Sequence, residues 1–206
     1  MNPRRTNQLR FRVCRFAVDA RVGLRALAII AVLPVLLALR PEPAAAVHRG
    51  LTPSQVFGLW ININDSLDAV ARVVSDDTAW RMRLRAMRPK AFRDKRLADV
   101  LEQVKRYQDK IDVLRRRVGL PPSARRSDHH HSISPSIVYI TSGTVLNAQI
   151  EWLIHLTERD QLVSQYYRRH DFSGKISSDV FGVVELANRR LDAILIKAGV
   201  RPTAGR

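Results

Sequence analysis

Four segments of the chain repeat one pattern of apolar residues, and this pattern constrains the fold more than any other feature of the sequence. The apolar positions follow one another at intervals of 4, 3, 4, 3 and 4 residues, which places them along one side of an α-helix. Three stripes are unbroken: Val56, Trp60, Ile63, Leu67, Val70 and Val74; Val100, Val104, Tyr107, Ile111, Leu114 and Val118; and Val180, Val184, Ala187, Leu191, Ile194 and Ala198. The third segment, from Val138 to Leu156, puts Ser142 and Gln149 on the stripe. That helix is therefore predicted to be either rotated or partly polar on its inner side.

The four segments resemble one another beyond their hydrophobicity. A large residue follows the first valine in each of them: Phe57, Leu101, Tyr139 and Phe181. Other matching positions carry Asp68, Asp112 and Asp192, and also Asn64 and Asn188. The segments start 44, 38 and 42 residues apart, and a period of about 40 is typical of helical repeats. We expect the repeated polar residues to hold helices in register, because an active site needs different groups that converge.

Helix-capping residues agree with these four helices. Residues 52–53 and 134–135 each place a hydroxyl side chain before a proline at the first helical position, and the serines at 177–178 can cap the last helix. Gly119 and Gly199 follow two of the stripes as helix-stop residues. The predicted helices run near 53–75, 94–118, 135–158 and 177–198.

These observations predict an all-α fold. Helices of this length, about 30 to 38 Å, suit an antiparallel four-helix bundle built from four related segments. The alternative is a short α-solenoid of about 40-residue repeats, in which each unit is a helix pair and residues 78–87 and 161–169 form additional helices.

The first 46 residues are predicted to be a cleavable export signal. Seven arginines precede an uncharged run from Ala26 to Leu39, and Ala44-Ala45-Ala46 forms a small-x-small cleavage site. The run is shorter than the roughly 20 residues that span a bilayer. We expect residues 47–206 to form one exported helical domain, periplasmic or secreted, with a short disordered C-terminal tail. The alternative is that the uncleaved leader anchors the protein in the cytoplasmic membrane.

Removal of the leader leaves a basic chain without cysteine. The single cysteine, Cys14, belongs to the leader, so the exported domain has no disulfide and no thiolate metal site. Its 27 basic and 17 acidic residues give a formal charge of +10. Outside the cytoplasm such a surface favours anionic lipid, polysaccharide or an acidic protein as the partner over nucleic acid.

One segment contains the highest density of positive charge. It is predicted to bind an anionic partner through Arg81, Arg83, Arg85, Arg88, Lys90, Arg93, Lys95 and Arg96. In this interpretation Trp80 lies at the membrane interface. In the alternative interpretation the segment is a solvated linker, and Met82, Leu84 and Met87 cover one end of the bundle.

A histidine-rich segment provides a candidate metal site. His129, His130 and His131 follow Asp128, and neutral imidazoles beside a carboxylate bind zinc, nickel or copper ions. Adjacent histidines in a Pro- and Ser-rich loop rarely converge on one ion, so a solvated loop is the competing interpretation.

The sequence contains no recognisable cofactor or catalytic motif. Trp60, Tyr107 and Trp152 occupy stripe positions typical of a core, and neither a haem-attachment motif nor the Glu-x-x-His pairs of a di-iron bundle are present. There is also no Gly-x-Ser-x-Gly elbow and no glycine-rich phosphate loop. We therefore expect no cofactor.

The expected function is binding. In order of preference, the candidates are an exported bundle that contacts an anionic envelope component or a protein partner, a soluble metal-binding protein, and an uncharacterised periplasmic enzyme. Four similar amphipathic helices can also pair between chains, so a homo-oligomer remains open.

Overall fold

The computed structural model describes residues 50–125, 133–157 and 164–200, which all belong to the unit Val47–Arg206. These residues contain helices and no strands. The helices are α1 (Pro53–Val74), α2 (Thr78–Ala86), α3 (Leu97–Arg117), α4 (Pro135–Thr157) and α5 (Ser177–Lys197), with a 3-10 turn at Ser164–Tyr166. The predicted leader, the histidine triplet and the tail from residue 201 lie outside the described residues.

The predicted stripes form the core. At five successive levels of the repeat, each of the four long helices contributes one side chain, and every one of these side chains is at most 4% exposed. The levels are Val56, Val100, Val138 and Val180; Trp60, Val104, Ser142 and Val184; Ile63, Tyr107, Val145 and Ala187; Leu67, Ile111, Gln149 and Leu191; and Val70, Leu114, Trp152 and Ile194. The prediction of an all-α helical bundle is confirmed.

The four long helices enclose this core in a closed arrangement. α1 packs against α4 and α5, and α3 packs against the same two helices, so α1 and α3 lie across the bundle from each other. Because the first and the last repeats are in direct contact, the units do not stack as an open solenoid. A short helix is present at Thr78–Ala86, where the solenoid alternative expected one.

The expectation that neighbouring helices run antiparallel is wrong. Near the start of α1 and α4, Trp60 Nε1 donates to Ser142 Oγ over 2.9 Å, and further along both helices Gln149 Nε2 donates to Ser66 Oγ over 2.6 Å. α3 and α5 show the same order: Lys95 N, just before α3, binds Ser178 in the first turn of α5, and Arg117 at the end of α3 binds Ala198 O just after α5. Partners ascend together along each pair. α3 and α4 link the two pairs in the same order, since Tyr107 donates to Gln149 and Trp152 donates to Leu114 O, so the four long helices are parallel.

The long linkers explain this parallel arrangement. A parallel neighbour requires the chain to return over the full helix length, roughly 30 Å for 21 residues, and a tight turn cannot do this. The linker between α1 and α3 contains α2 and then runs down α5, from Asp77 beside Lys197 to Lys95 beside Ser178. The segment before α5 likewise descends along α1, from Tyr166 to Lys175. We call these two stretches return segments.

The third stripe is partly polar, and this confirms one of the two predictions made for it. Ser142 accepts the indole hydrogen of Trp60, and Gln149 accepts the hydroxyl hydrogen of Tyr107 through Oε1. All four side chains are buried within the core. Burial raises the pKa of Tyr107 well above its usual value, so this phenol remains a hydrogen-bond donor.

Two details at the helix starts differ from the predictions. α3 begins at Leu97 rather than near residue 94, because Asp94 has a left-handed φ of 56° and the Asp99 carboxylate caps Arg96 N over 2.8 Å. The start of α5 is capped by Asp179, which accepts from Ile176 N over 3.0 Å, and not by a serine.

The predicted stops are confirmed. Gly119 and Gly199 adopt left-handed φ values of 80° and 71° just after α3 and α5. The amide of the next residue in each case bonds back to the helix, from Leu120 N to Arg115 O over 3.0 Å and from Val200 N to Leu195 O over 2.8 Å.

Candidate functional site

The fold divides the predicted basic segment in two. Its first three arginines lie on α2, and the other five cations lie on an extended stretch that runs along α5 toward the N-terminal end of that helix. At that end the ammonium group of Lys95 stacks 4.9 Å from the ring centroid of Phe181. The eight cations therefore follow the length of α5 and do not form one compact patch.

Three arginines from two helices surround a pocket of about 270 Å³. Arg81 and Arg85 come from α2, and Arg72 comes from the last turn of α1. Arg81 Nη2 donates to the Thr78 hydroxyl over 3.0 Å, and Met82 completes the wall. Guanidinium groups bind carboxylate and phosphate oxygens in a bidentate manner, so this arginine pocket is suited to an oxyanion.

A single carboxylate connects two of these arginines. Asp68 Oδ2 lies 2.8 Å from Arg72 Nη2, and both carboxylate oxygens of Asp68 accept hydrogen bonds from Arg85. The hydrogen bonds from Arg85 lower the pKa of Asp68, which is therefore ionised at neutral pH. One negative charge faces three positive ones, so the arginine pocket retains a net positive charge.

A second group of arginines adjoins the arginine pocket. Arg189 Nη2 donates to Arg88 O over 2.8 Å and its Nε pairs with Glu185. Arg190 donates to two backbone carbonyls at the end of α2, over 3.1 and 3.2 Å, and to Asn64 Oδ1 over 3.2 Å. Burial and the like charge of Arg88 lower the pKa of Arg190. Among the described residues Arg190 forms no ion pair, although Asp65 and Asp68 partly offset its charge.

These two groups form one surface, which we call the basic face. Its members are Arg72, Arg81, Arg85, Arg88, Arg189 and Arg190.

The apolar residues of α2 separate into inward and outward positions. Leu84 is buried and Trp80 is half-buried against the core, with the Lys197 ammonium 5.6 Å from the centroid of its ring. Trp80 therefore packs on the bundle with part of its ring exposed, and its position at a membrane interface stays a prediction. Met82 is 61% exposed at the edge of the arginine pocket. α2 thus presents one large exposed apolar side chain beside its arginines.

Sequence reasoning missed half of the basic face. Arg72, Arg189 and Arg190 lie on α1 and α5, far in sequence from the dense basic run, and only the return of the chain along these helices brings them to it. The adjacent pair Arg189-Arg190 beside the repeated Asn188 is the one local signal for them in the sequence.

Four of the five repeated polar residues make structural contacts, and the fifth, Asp68, pairs with two arginines of the arginine pocket. Asn64 Nδ2 binds Val183 O of α5 over 3.2 Å, and Asn188 Nδ2 binds Gln103 O of α3 over 3.1 Å. Asp112 is fully buried and accepts from Ser123 N over 2.7 Å, which fastens the linker after α3. Asp192 pairs with Lys110 of α3 over 2.8 Å.

Metal binding by His129, His130 and His131 stays a prediction, because these residues lie outside the described ranges. Within those ranges, no cluster of three or more His, Cys, Asp or Glu side chains is arranged to hold a metal ion. Of the helices described, none is both long and apolar enough to span a bilayer.

Comparison of the chain with protein-family models, curated proteins and solved structures found no match.

Proposed function

We propose that this protein is an exported binding protein whose basic face holds an anionic lipid of the cell envelope. The observation that supports this most is the arginine pocket, where Arg72, Arg81 and Arg85 surround a space of about 270 Å³ with one carboxylate beside them. Three guanidinium groups around one space can donate hydrogen bonds to several oxygens of one phosphate group, which an isolated surface arginine cannot do.

The neighbouring apolar side chain favours a lipid over a soluble polyanion. Met82 lines the arginine pocket and is 61% exposed, so it is available to the acyl region while a phosphate group contacts the arginines. Each Arg or Lys near an anionic bilayer contributes about 1 kcal/mol to binding. The remaining arginines of the basic face extend this attraction along α5.

The proposed location supports the same conclusion. The arginine-rich start, the short apolar run and the Ala44-Ala45-Ala46 site are typical of export signals. An exported basic protein meets anionic lipids at the outer surface of the cytoplasmic membrane.

Vesicle co-sedimentation tests the proposal. The protein is mixed with phosphatidylglycerol vesicles, and with phosphatidylcholine vesicles as the uncharged comparison, at low and high salt. We expect binding to phosphatidylglycerol alone, weakened by salt because the charges are exposed. The variant Arg72→Gln/Arg81→Gln should bind roughly tenfold more weakly than the matched control Lys90→Gln/Arg93→Gln, which removes the same charge outside the arginine pocket.

Two results would overturn the proposal. Equal losses in both variants would mean that overall charge, and not the arginine pocket, governs binding. Absence of vesicle binding, together with retention on an immobilised acidic polysaccharide, would identify a polysaccharide as the partner in place of a lipid.

A further inference from the structure

The two return segments end in the same local structure. Phe92 and Phe172 each lie five residues before the start of a long helix. A lysine follows each of them three residues later, Lys95 and Lys175, two residues before the same helix start. Between them, Asp94 and Gly174 occupy the same position and both have a left-handed φ, 56° and 68°. The sequence pattern in both is Phe, any residue, Asp or Gly, and Lys.

Each of these ends covers an equivalent site on a helix, which we call a platform. One platform is residues 54–58 of α1 and the other is residues 178–182 of α5. Both have the sequence Ser, any residue, Val, Phe and Gly. In each, the covering phenylalanine lies edge-on to the platform phenylalanine, with ring centroids 5.0 and 4.8 Å apart. The lysine ammonium lies 4.9 Å from the platform ring, and the platform serine accepts the lysine amide hydrogen over 3.1 and 3.0 Å.

A third platform lies on α4 without such a cover among the described residues. Residues 136–140 read Ser, Ile, Val, Tyr and Ile, so Tyr139 stands where the other platforms have phenylalanine. No described Phe-x-x-Lys segment packs on Tyr139. The ring instead lines a cleft of about 560 Å³ between α1, α4 and residues 167–172.

The opposite wall of the cleft is cationic and firmly attached. Asn62 on α1 holds it through two hydrogen bonds of 2.8 Å: its Nδ2 donates to Arg168 O, and its Oδ1 accepts from His170 Nε2. The wall carries two cations, Arg168 and Arg169, against one carboxylate, Asp171, which lies 3.6 Å from Arg169.

We propose that this cleft binds a small aromatic carboxylate, with its ring against Tyr139 and its carboxylate at Arg168. The two covered platforms show that this local structure receives an aromatic ring edge-on, and such ring pairs contribute beyond their buried area. The cationic wall selects a negative charge on the ligand.

This site is separate from the basic face. Asn62 and Arg72 are ten residues apart on α1, a rise of about 15 Å. The inference therefore does not depend on the proposed lipid binding.

Calorimetric titration of the full chain with phenylacetate tests the inference. We expect saturable binding that is roughly tenfold weaker for 2-phenylethanol, which lacks the charge, and about threefold or more weaker for cyclohexylacetate, which lacks the aromatic ring. Arg168→Gln and Tyr139→Leu should each weaken phenylacetate binding by about threefold to tenfold. Arg81→Gln, on the basic face, should leave it unchanged.

Two sets of titration results would contradict the inference. If phenylacetate does not bind saturably, the cleft does not take an aromatic carboxylate and the inference is wrong. If Arg168→Gln and Tyr139→Leu both bind phenylacetate like the original protein, or if Arg81→Gln abolishes binding, the ligand lies elsewhere and the inference is wrong.

Discussion

At the scale of single residues, the core is specified by polar side chains as well as by apolar ones. Ser142 and Gln149 occupy stripe positions of α4, and each satisfies an aromatic residue from another helix. An indole N–H or a phenol O–H buried without a partner destabilises a fold by about 1–3 kcal/mol. Gln149 also donates to Ser66 Oγ of α1, so one amide connects three helices.

The pair of Gln149 and Tyr107 should show non-additive effects on stability. Gln149→Leu leaves the Tyr107 hydroxyl without its acceptor, and Tyr107→Phe leaves the Gln149 carbonyl without its donor, so each should lower the free energy of unfolding by about 1–3 kcal/mol. The double variant should lose clearly less than the sum, because neither orphan group remains. Urea unfolding of the four proteins measures this, and additive losses would show that the two groups do not interact.

At the scale of elements, the apolar stripes predicted where the helices lie and not in which direction they run. The 4-3-4-3-4 stripe, the prolines after Thr52 and Ser134, and the stop residue Gly119 act locally, so they located the helices within a few residues. A stripe has almost the same spacing when read in either direction, so it carries no information about orientation. Linker length did carry this information, since linkers beyond the 2–8 residues usual in bundles indicate a return over the helix length.

The basic face was predictable only in part, for a related reason. A dense run of arginines is visible along the chain, and Arg81 and Arg85 do reach the arginine pocket. Arg72 joins them because α2 folds back on α1, and this contact depends on the whole fold. The cleft at Tyr139 left no signal that was recognised in the sequence, because its walls come from three separate segments.

The fit of the first return segment can be tested at a glycine. A Cβ at Gly182 of α5 would lie 2.8 Å from Lys90 O, so Gly182→Ala must displace the backbone and should lower the free energy of unfolding by about 1–3 kcal/mol. Gly143 of α4 is the matched control, since no atom lies within 4 Å of a Cβ there. Gly143→Ala should raise stability by up to about 1 kcal/mol through its helix propensity. Thermal unfolding of both variants measures this, and equal stabilities would mean that the segment does not pack closely on α5.

At the scale of the whole molecule, parallel helices align their dipoles, and charged side chains at the two ends of the bundle offset the resulting partial charges. Four helix N-termini lie at one end of the bundle and four C-termini at the other, so the helix dipoles add. Asp99 and Asp179 place negative charge in the first turns of α3 and α5. At the other end Arg117 donates to Ala198 O over 2.6 Å and to Gly199 O over 3.1 Å. Each such contact stabilises by about 0.3–1 kcal/mol.

Both candidate sites depend on this parallel arrangement. The chain travels back along the outside of the bundle after α1 and again before α5, and these return segments provide α2 with its arginines and the cationic wall at residues 167–172. An antiparallel bundle with short turns would contain neither. The direction of the helices is therefore the central claim on which the proposed binding sites rest.

Distances between spin labels on α1 and α4 test this claim most directly. Cys14 is replaced by serine, and two double-cysteine variants are labelled. One carries cysteine at positions 73 and 156 and the other at positions 73 and 140, where the native Val73, Leu156 and Ile140 are all exposed. Parallel helices place residue 73 beside residue 156 and about 22 Å along the axis from residue 140. We therefore predict a short distance for the pair 73/156 and a long one for 73/140; the reverse order would contradict the parallel arrangement.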